Sequence, residues 1–178
     1  MWMLVTGLAL VAVNGIVRFV GTDIPAAQAA FLRFAFGVVF LAPALWAARA
    51  ARFPIATWRL FWLRGAIHVA AVFFWFWAVV RVPVAEMTAI GFLGPVVMVV
   101  LAAVLMGESL GRSQVVAVLA ALAGALVVLR PGLREITPGH MAQIAATLCF
   151  AASYLLAKRL SALAPASVIV ALLSATVA

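Results

Sequence analysis

Six apolar segments follow one another along the 178-residue chain, and a seventh is still running at Ala178. Each is long enough to cross a hydrocarbon core about 30 Å thick, which takes roughly 20 helical residues. Lipid offers no partners for backbone N–H and C=O groups, so segments of this kind must satisfy those groups internally, as helices. The expected fold is therefore an all-α membrane protein, a polytopic helical bundle. Composition excludes a soluble globule, because 69% hydrophobic and 9% charged residues leave too little polar surface to coat one.

The expected spans are 2–20, 26–47, 60–80, 84–106, 113–129 and 139–157, with an incomplete one from 165. Helix-breaking residues fall between them: Pro25, Pro54, Pro83, Gly107, Gly111, Pro131, Gly132 and Pro138. The loops are short, so neighbouring spans run antiparallel. The first span is not read as a cleaved signal, since no Lys or Arg precedes it and Arg18 interrupts its far end.

The formal charge of +8 does not point to nucleic acid, because the basic residues lie in loops between spans rather than on one face. They set topology instead. With a cytoplasmic N-terminus, inner loops hold Arg49, Arg52, Arg59, Arg64, Arg112, Lys158 and Arg159, against Arg18, Arg81, Arg130 and Arg134 outside. Trp46, Trp58 and Trp62 then mark the inner boundary, and Trp75 and Trp77 the outer one. Cys149, the single cysteine, is read as packing and permits no intrachain disulfide.

Several residues stand out at membrane depth. Arg33, in the second span, should point into the bundle, since a guanidinium facing lipid costs at least about 2.5 kcal/mol. It is a candidate for an anionic substrate, with a structural pair as the alternative, and Glu86 is its expected neighbour. Glu86 is a candidate carrier of a coupling proton, although its place near the start of the fourth span favours an interfacial, solvated carboxylate. Pro95 lacks an N–H and so frees the carbonyl of Gly91, four residues back, beside Gly94. An unshielded carbonyl at depth must face protein or a wet cavity, which makes Gly91, Gly94 and Pro95 candidates for a substrate path. Pro43 should bend the second span in a similar way.

His68 and Trp75 share one face of the third span and could stack on a planar ligand, although Trp75 also suits an interfacial belt and a lone His is more often hydrogen-bonded structure. Glu108 and Arg112, four apart, suggest a solvated local ion pair. Ala117, Ala120, Ala121 and Gly124 form a small-residue face on the fifth span, read as scaffold or as a homodimer surface. Two histidines, four acidic residues and one cysteine are scattered, so no catalytic residues, metal site or cofactor are expected.

Shifting the chain by 140 residues places Arg18 on Lys158, Pro25 on Pro165 and Ala26 on Ala166. Five spans separate the two copies, and an odd number inverts the second relative to the first. Inverted repeats are a transporter architecture.

The stretch 85–124 carries a more specific pattern. A Pro-centred fourth span with Gly94 and Pro95 leads into Gly107 and Glu108, and Gln114 then opens an Ala/Gly-rich fifth span. Arg33, Ala78 and the run Arg130, Pro131 and Gly132 fit the same pattern. In these features the chain resembles the EamA-type family of the drug/metabolite transporter superfamily, departing from it at Ala117, where the family usually has Gly. The resemblance implies a ten-span carrier of two inverted five-helix repeats. On that reading 1–132 is one complete repeat, 138–178 is the truncated start of a second, and the 178-residue form alone is expected to be inactive. Among bacterial members, proposed importers of riboflavin and of S-adenosylmethionine look most similar.

The expected function is a multi-pass inner-membrane transporter that moves a small organic metabolite by alternating access. Its partners would be that substrate, the lipid bilayer and a coupling proton or other ion. A structural or assembly subunit and an integral-membrane enzyme are the rival classes.

Overall fold

A computed structural model describes residues 2–20, 26–50, 53–129 and 136–177. In chain order the helices are α1 (Trp2–Val20), α2 (Ala26–Phe40), α3 (Ala42–Ala50), α4 (Ile55–Val79) and α5 (Val84–Gly91). They continue as α6 (Leu93–Met106), α7 (Arg112–Leu129), α8 (Pro138–Leu160) and α9 (Ala166–Val177). No strand occurs among the described residues. Among the described residues, three segments are long and apolar enough to cross a membrane: Ile55–Val79, Val84–Met106 and Pro138–Leu160.

Prolines divide two of the expected spans. Pro43 cannot donate to the Val39 carbonyl, and α2 and α3 meet beside it at Leu41, which itself keeps both helical bonds, to Gly37 O and from the Leu45 N–H, at 3.0 Å each. Pro95 does the same to Gly91, and α5 and α6 meet at Phe92, whose own N–H still donates to Thr88 O at 2.9 Å. Phe92 keeps right-handed helical angles, φ −67° and ψ −12°. The interruption is thus a missing hydrogen bond rather than an unwound segment.

The third span starts earlier than expected. Pro54 holds extended angles as the N-cap of α4, so the helix begins at Ile55 and carries Arg59 and Arg64 within it. Arg64 is therefore not a loop cation. Its side chain is 5% exposed inside the bundle, so it does not belong with the cations at the span ends.

The core forms where α4 meets α8. On α4 the residues Thr57, Phe61, Arg64, His68, Ala71, Trp75 and Ala78 are all buried. Their spacing alternates between four and three, the period that keeps one helix face against a partner. Facing them on α8 are small residues, among them Gly139, Ala142, Ala146 and Ser153. The two helices run antiparallel: Phe61 shares an apolar cluster with Leu160, His68 meets Ser153, and Val82 abuts Gly139.

Against this pair, α9 seats itself on two glycines. A Cβ at Gly65 would stand 2.6 Å from Thr176 Oγ1, and one at Gly37 would stand 3.0 Å from Ser174 Oγ. Small residues that bring backbones together are how helices associate when lipid removes the hydrophobic drive.

The small-residue face of α7 is not used in this way. Ala117, Ala120 and Gly124 are exposed, and a Cβ at Gly124 would meet nothing within 4 Å. Ala121, the fourth residue of that face, is half-buried, so within the described residues the face is open except at that position.

Candidate functional site

The sixth span carries a stripe of polar side chains through an apolar helix. His140, Gln143 and Thr147 follow one another at spacings of three and four on α8, which puts them on one face. That face lies against the interrupted fourth span. Gln143 Nε2 donates to the Met87 carbonyl at 3.3 Å. Thr147 Oγ1 donates to its own helix at Gln143 O, 2.9 Å away, and reaches toward Ile90 O at 3.5 Å. Across from them, Cβ atoms built on Gly91 and Gly94 would make only ordinary contacts, 3.8 Å from Gln143 Nε2 and 3.8 Å from Thr147 Cγ2. Both glycines therefore lie directly against the stripe, in van der Waals contact range of it.

At the start of this stripe sits a buried acid. Glu86, in the first turn of α5, is 4% exposed, and His140 Nε2 lies 2.8 Å from its Oε2. Geometry fixes the imidazole tautomer. The Thr137 backbone N–H donates to His140 Nδ1 at 3.1 Å, and Thr137 Oγ1 lies 2.8 Å from the same nitrogen. A nitrogen that accepts cannot carry hydrogen, so the proton sits on Nε2 and points at the carboxylate. Placement in the first turn of α5 also sets the carboxylate against the positive end of that helix. Glu86 is therefore a buried, hydrogen-bonded acid, not the solvated interfacial one expected.

The opposite end of α8 is also tied down. Lys158 Nζ lies 2.6 and 2.7 Å from the two carboxylate oxygens of Glu108, and Arg159 Nη2 donates to the Leu105 carbonyl at 3.2 Å. Glu108 thus pairs with Lys158, fifty residues away, rather than with Arg112. The reason is the helix end: Gly107 takes a left-handed φ of 68° and closes α6, turning the chain so that Glu108 faces α8. Gln114 then starts α7 by accepting from the Gly111 N–H at 2.8 Å, the reach-back bond of an N-terminal cap. Beneath the Glu108 and Lys158 pair is a cavity of about 100 Å³ lined by Met98, Val99, Ala102, Ser109, Leu110 and Gln114.

Both partners of that pair are 42% exposed, so it is worth about 0.2–1 kcal/mol and weakens with salt. Either Glu108→Lys or Lys158→Glu alone should lower the unfolding temperature slightly at low salt. The double exchange should restore it, as thermal unfolding in detergent at two salt concentrations would show.

His68 and Trp75 do share a face, but that face is filled by protein. His68 Nδ1 and Ser153 Oγ are 3.1 Å apart, and Phe34 and Phe150 meet the ring edge-on at 5.9 and 5.1 Å. Trp75 lies in the apolar core against Phe76, not in an interfacial belt. Neither offers an open aromatic surface. Pro95 itself is exposed, and of the expected path residues it is Gly91 and Gly94 that lie against α8. Ala78 is fully buried under the turn into α5, its carbonyl accepting from Arg81 and Val82 at 2.9 Å each. The side chain of Arg33, and with it any contact to Glu86, lies outside the described residues, as do Pro131 and Gly132.

Three buried polar atoms lack a partner among the described residues: Arg64 Nε, Thr88 Oγ1 and Gln143 Oε1. An unmade bond of this kind costs about 1–3 kcal/mol. Arg64 spends one donor on the Ile169 carbonyl at 2.9 Å. Because an apolar chain of similar length avoids the desolvation of a buried cation, Arg64→Met should unfold at an equal or higher temperature than the parent protein. A drop of several degrees on thermal unfolding would reveal a counter-charge.

The sequence pattern missed His140, Gln143 and Thr147. Their three-four spacing is the signal that identifies them.

Comparison with known proteins bears on the whole assembly. No curated protein and no solved structure gives a significant match. The model of the EamA-like transporter family matches residues 1–130, the stretch that contains the interrupted fourth span, Glu86 and the turn from Gly107 to Gln114. This chain belongs to the EamA-like transporter family, a family of membrane transporters.

Proposed function

We propose that the protein is an inner-membrane carrier that moves a small organic metabolite by alternating access. The observation that carries this reading is the seating of α8. It lies along α4, α5 and α6 through a polar stripe and is tied at one end by Glu86 with His140 and at the other by Glu108 with Lys158. Alternating access needs contacts at one end of a shared path to open while those at the other hold. Two polar ties at opposite ends of one helix meet that need.

An inverted repeat fits the helix packing as well. A shift of 140 residues carries the start of α2, Ala26, onto that of α9, Ala166. Gly37 lies against Ser174, and an inversion axis between the helices requires the reciprocal approach of Phe34 and Val177. Val177 packs on the cluster that contains Phe34. In this reading Leu160 lies at the cytoplasmic end and Gly139 at the outer one, with Glu86 as the site of a coupling proton. Arg81, over the Trp77 ring at 4.0 Å, suits a headgroup boundary at the outer end.

The test is a metabolite uptake and efflux screen on the full-length gene product in lipid vesicles, beside an Arg33→Ala control. Accumulation of particular metabolites above empty vesicles, reduced in the control, is the expected result. Movement of none in either direction would end the carrier reading.

A further inference from the structure

Gln143 has one half of its amide engaged and the other idle. Its side chain is 4% exposed, its Nε2 donates to Met87 O at 3.3 Å, and its Oε1 has no partner among the described residues. The orientation is not interchangeable. Turning the amide over would set Oε1 against the Met87 carbonyl, acceptor against acceptor. So the idle atom is an acceptor, held by a neighbouring backbone.

Its surroundings supply a second acceptor. Gly91, 3.8 Å from Gln143 Nε2 at its Cβ position, has a carbonyl denied the usual donor because residue 95 is proline. Gly91 and Gly94 place only backbone against this face. A purely structural position of this depth is better served by an apolar residue, and side chains that break local rules at a cost in stability mark functional positions.

We propose that Gln143 is a recognition residue of the transport path, and that its Oε1 accepts a hydrogen bond from an N–H or O–H group of the cargo. This rests on the carrier reading. The matching part of the cargo is a donor such as an amide, imide, amine or hydroxyl. A carboxylate or phosphate is disfavoured at this point, since its oxygens would oppose the Gln143 and Gly91 acceptors.

The experiment compares the full-length gene product, as parent, with its Gln143→Met and Gln143→Glu variants. Each is purified for thermal unfolding and reconstituted in vesicles, which are incubated with a uniformly ¹³C-labelled metabolite extract and analysed by mass spectrometry. Gln143→Met should unfold no lower than the parent, yet retain at least about tenfold less of the compounds the parent retains, the factor for one lost hydrogen bond of 1.4 kcal/mol. Gln143→Glu should shift retention toward compounds with a cationic donor. Retention by Gln143→Met at the parent's level, or a lowered unfolding temperature accompanied by normal retention, would overturn the assignment. If the compounds lost in Gln143→Met carry no N–H or O–H group, the donor class is wrong. Parent vesicles that retain nothing would overturn the carrier reading and this assignment with it, a result distinct from failure at Gln143 alone.

Discussion

Replacing Glu86 with glutamine should abolish proton-driven transport while leaving the bundle folded. The amide oxygen can still accept from His140 Nε2, whose partner distance in the parent is 2.8 Å. The hydrogen bond survives, and the stability loss should stay below about 1 kcal/mol. What disappears is the titratable oxygen. Glu86→Ala differs: it strands the His140 donor, whose side chain is 13% exposed, and should cost about 1–3 kcal/mol. Uptake into vesicles under an imposed pH gradient, beside thermal unfolding of both variants, separates the two effects. Unchanged uptake by Glu86→Gln would remove the carboxylate from any coupling role.

Gly65→Leu is expected to give the largest loss of stability. The Cβ alone would stand 3.0 Å from Thr176 Cβ, a distance that no rotation of the Thr176 side chain relieves, and 2.6 Å from its Oγ1. Forcing atoms into such a site costs about 1–3 kcal/mol, outweighing the gain of at most about 1 kcal/mol from removing a glycine within a helix. The consequence is a displaced α9, because Gly65 and Arg64 both meet that helix, the latter through the Ile169 carbonyl. Adding Thr176→Gly should recover much of the loss. A double-mutant cycle on unfolding temperature would measure the coupling, and additive effects would show that the two residues do not meet.

Much of the fold was legible because hydrophobic length and proline chemistry are local. The positions of Pro43 and Pro95 were enough to predict interruptions in the second and fourth spans, and α2 gives way to α3 and α5 to α6 beside those prolines. The site was less legible, since its contacts join residues far apart in the chain. Glu108 had a plausible partner four residues away, but a left-handed glycine turns it toward Lys158. Arg64 was grouped with the inner-loop cations although it fell inside the expected span 60–80, and the start of α4 at Ile55, behind the Pro54 cap, carries it deeper into the helix. Trp75 was assigned by its ring chemistry to a headgroup boundary, whereas helix phase places it in the core. On α8 the reverse occurred: the phase of His140, Gln143 and Thr147 was readable, but no single residue among them was conspicuous.

The pairing of α4 with α8 also bears on how the chain enters a bilayer. These are the less hydrophobic of the long segments, with mean hydropathies of 1.5 and 1.4 against 2.6 for Val84–Met106, and each hides far more of itself in the protein, 44% and 39% against 11%. During synthesis α4 emerges while its main partner is still unmade, with α5, α6 and α7 yet to come. Until then Arg64 and His68 have neither the Ile169 carbonyl nor the Ser153 hydroxyl to meet. The nascent third span therefore depends on the translocon, or on water at its mouth, to shelter its polar atoms, and biogenesis rather than final stability becomes the step most sensitive to added charge on that helix.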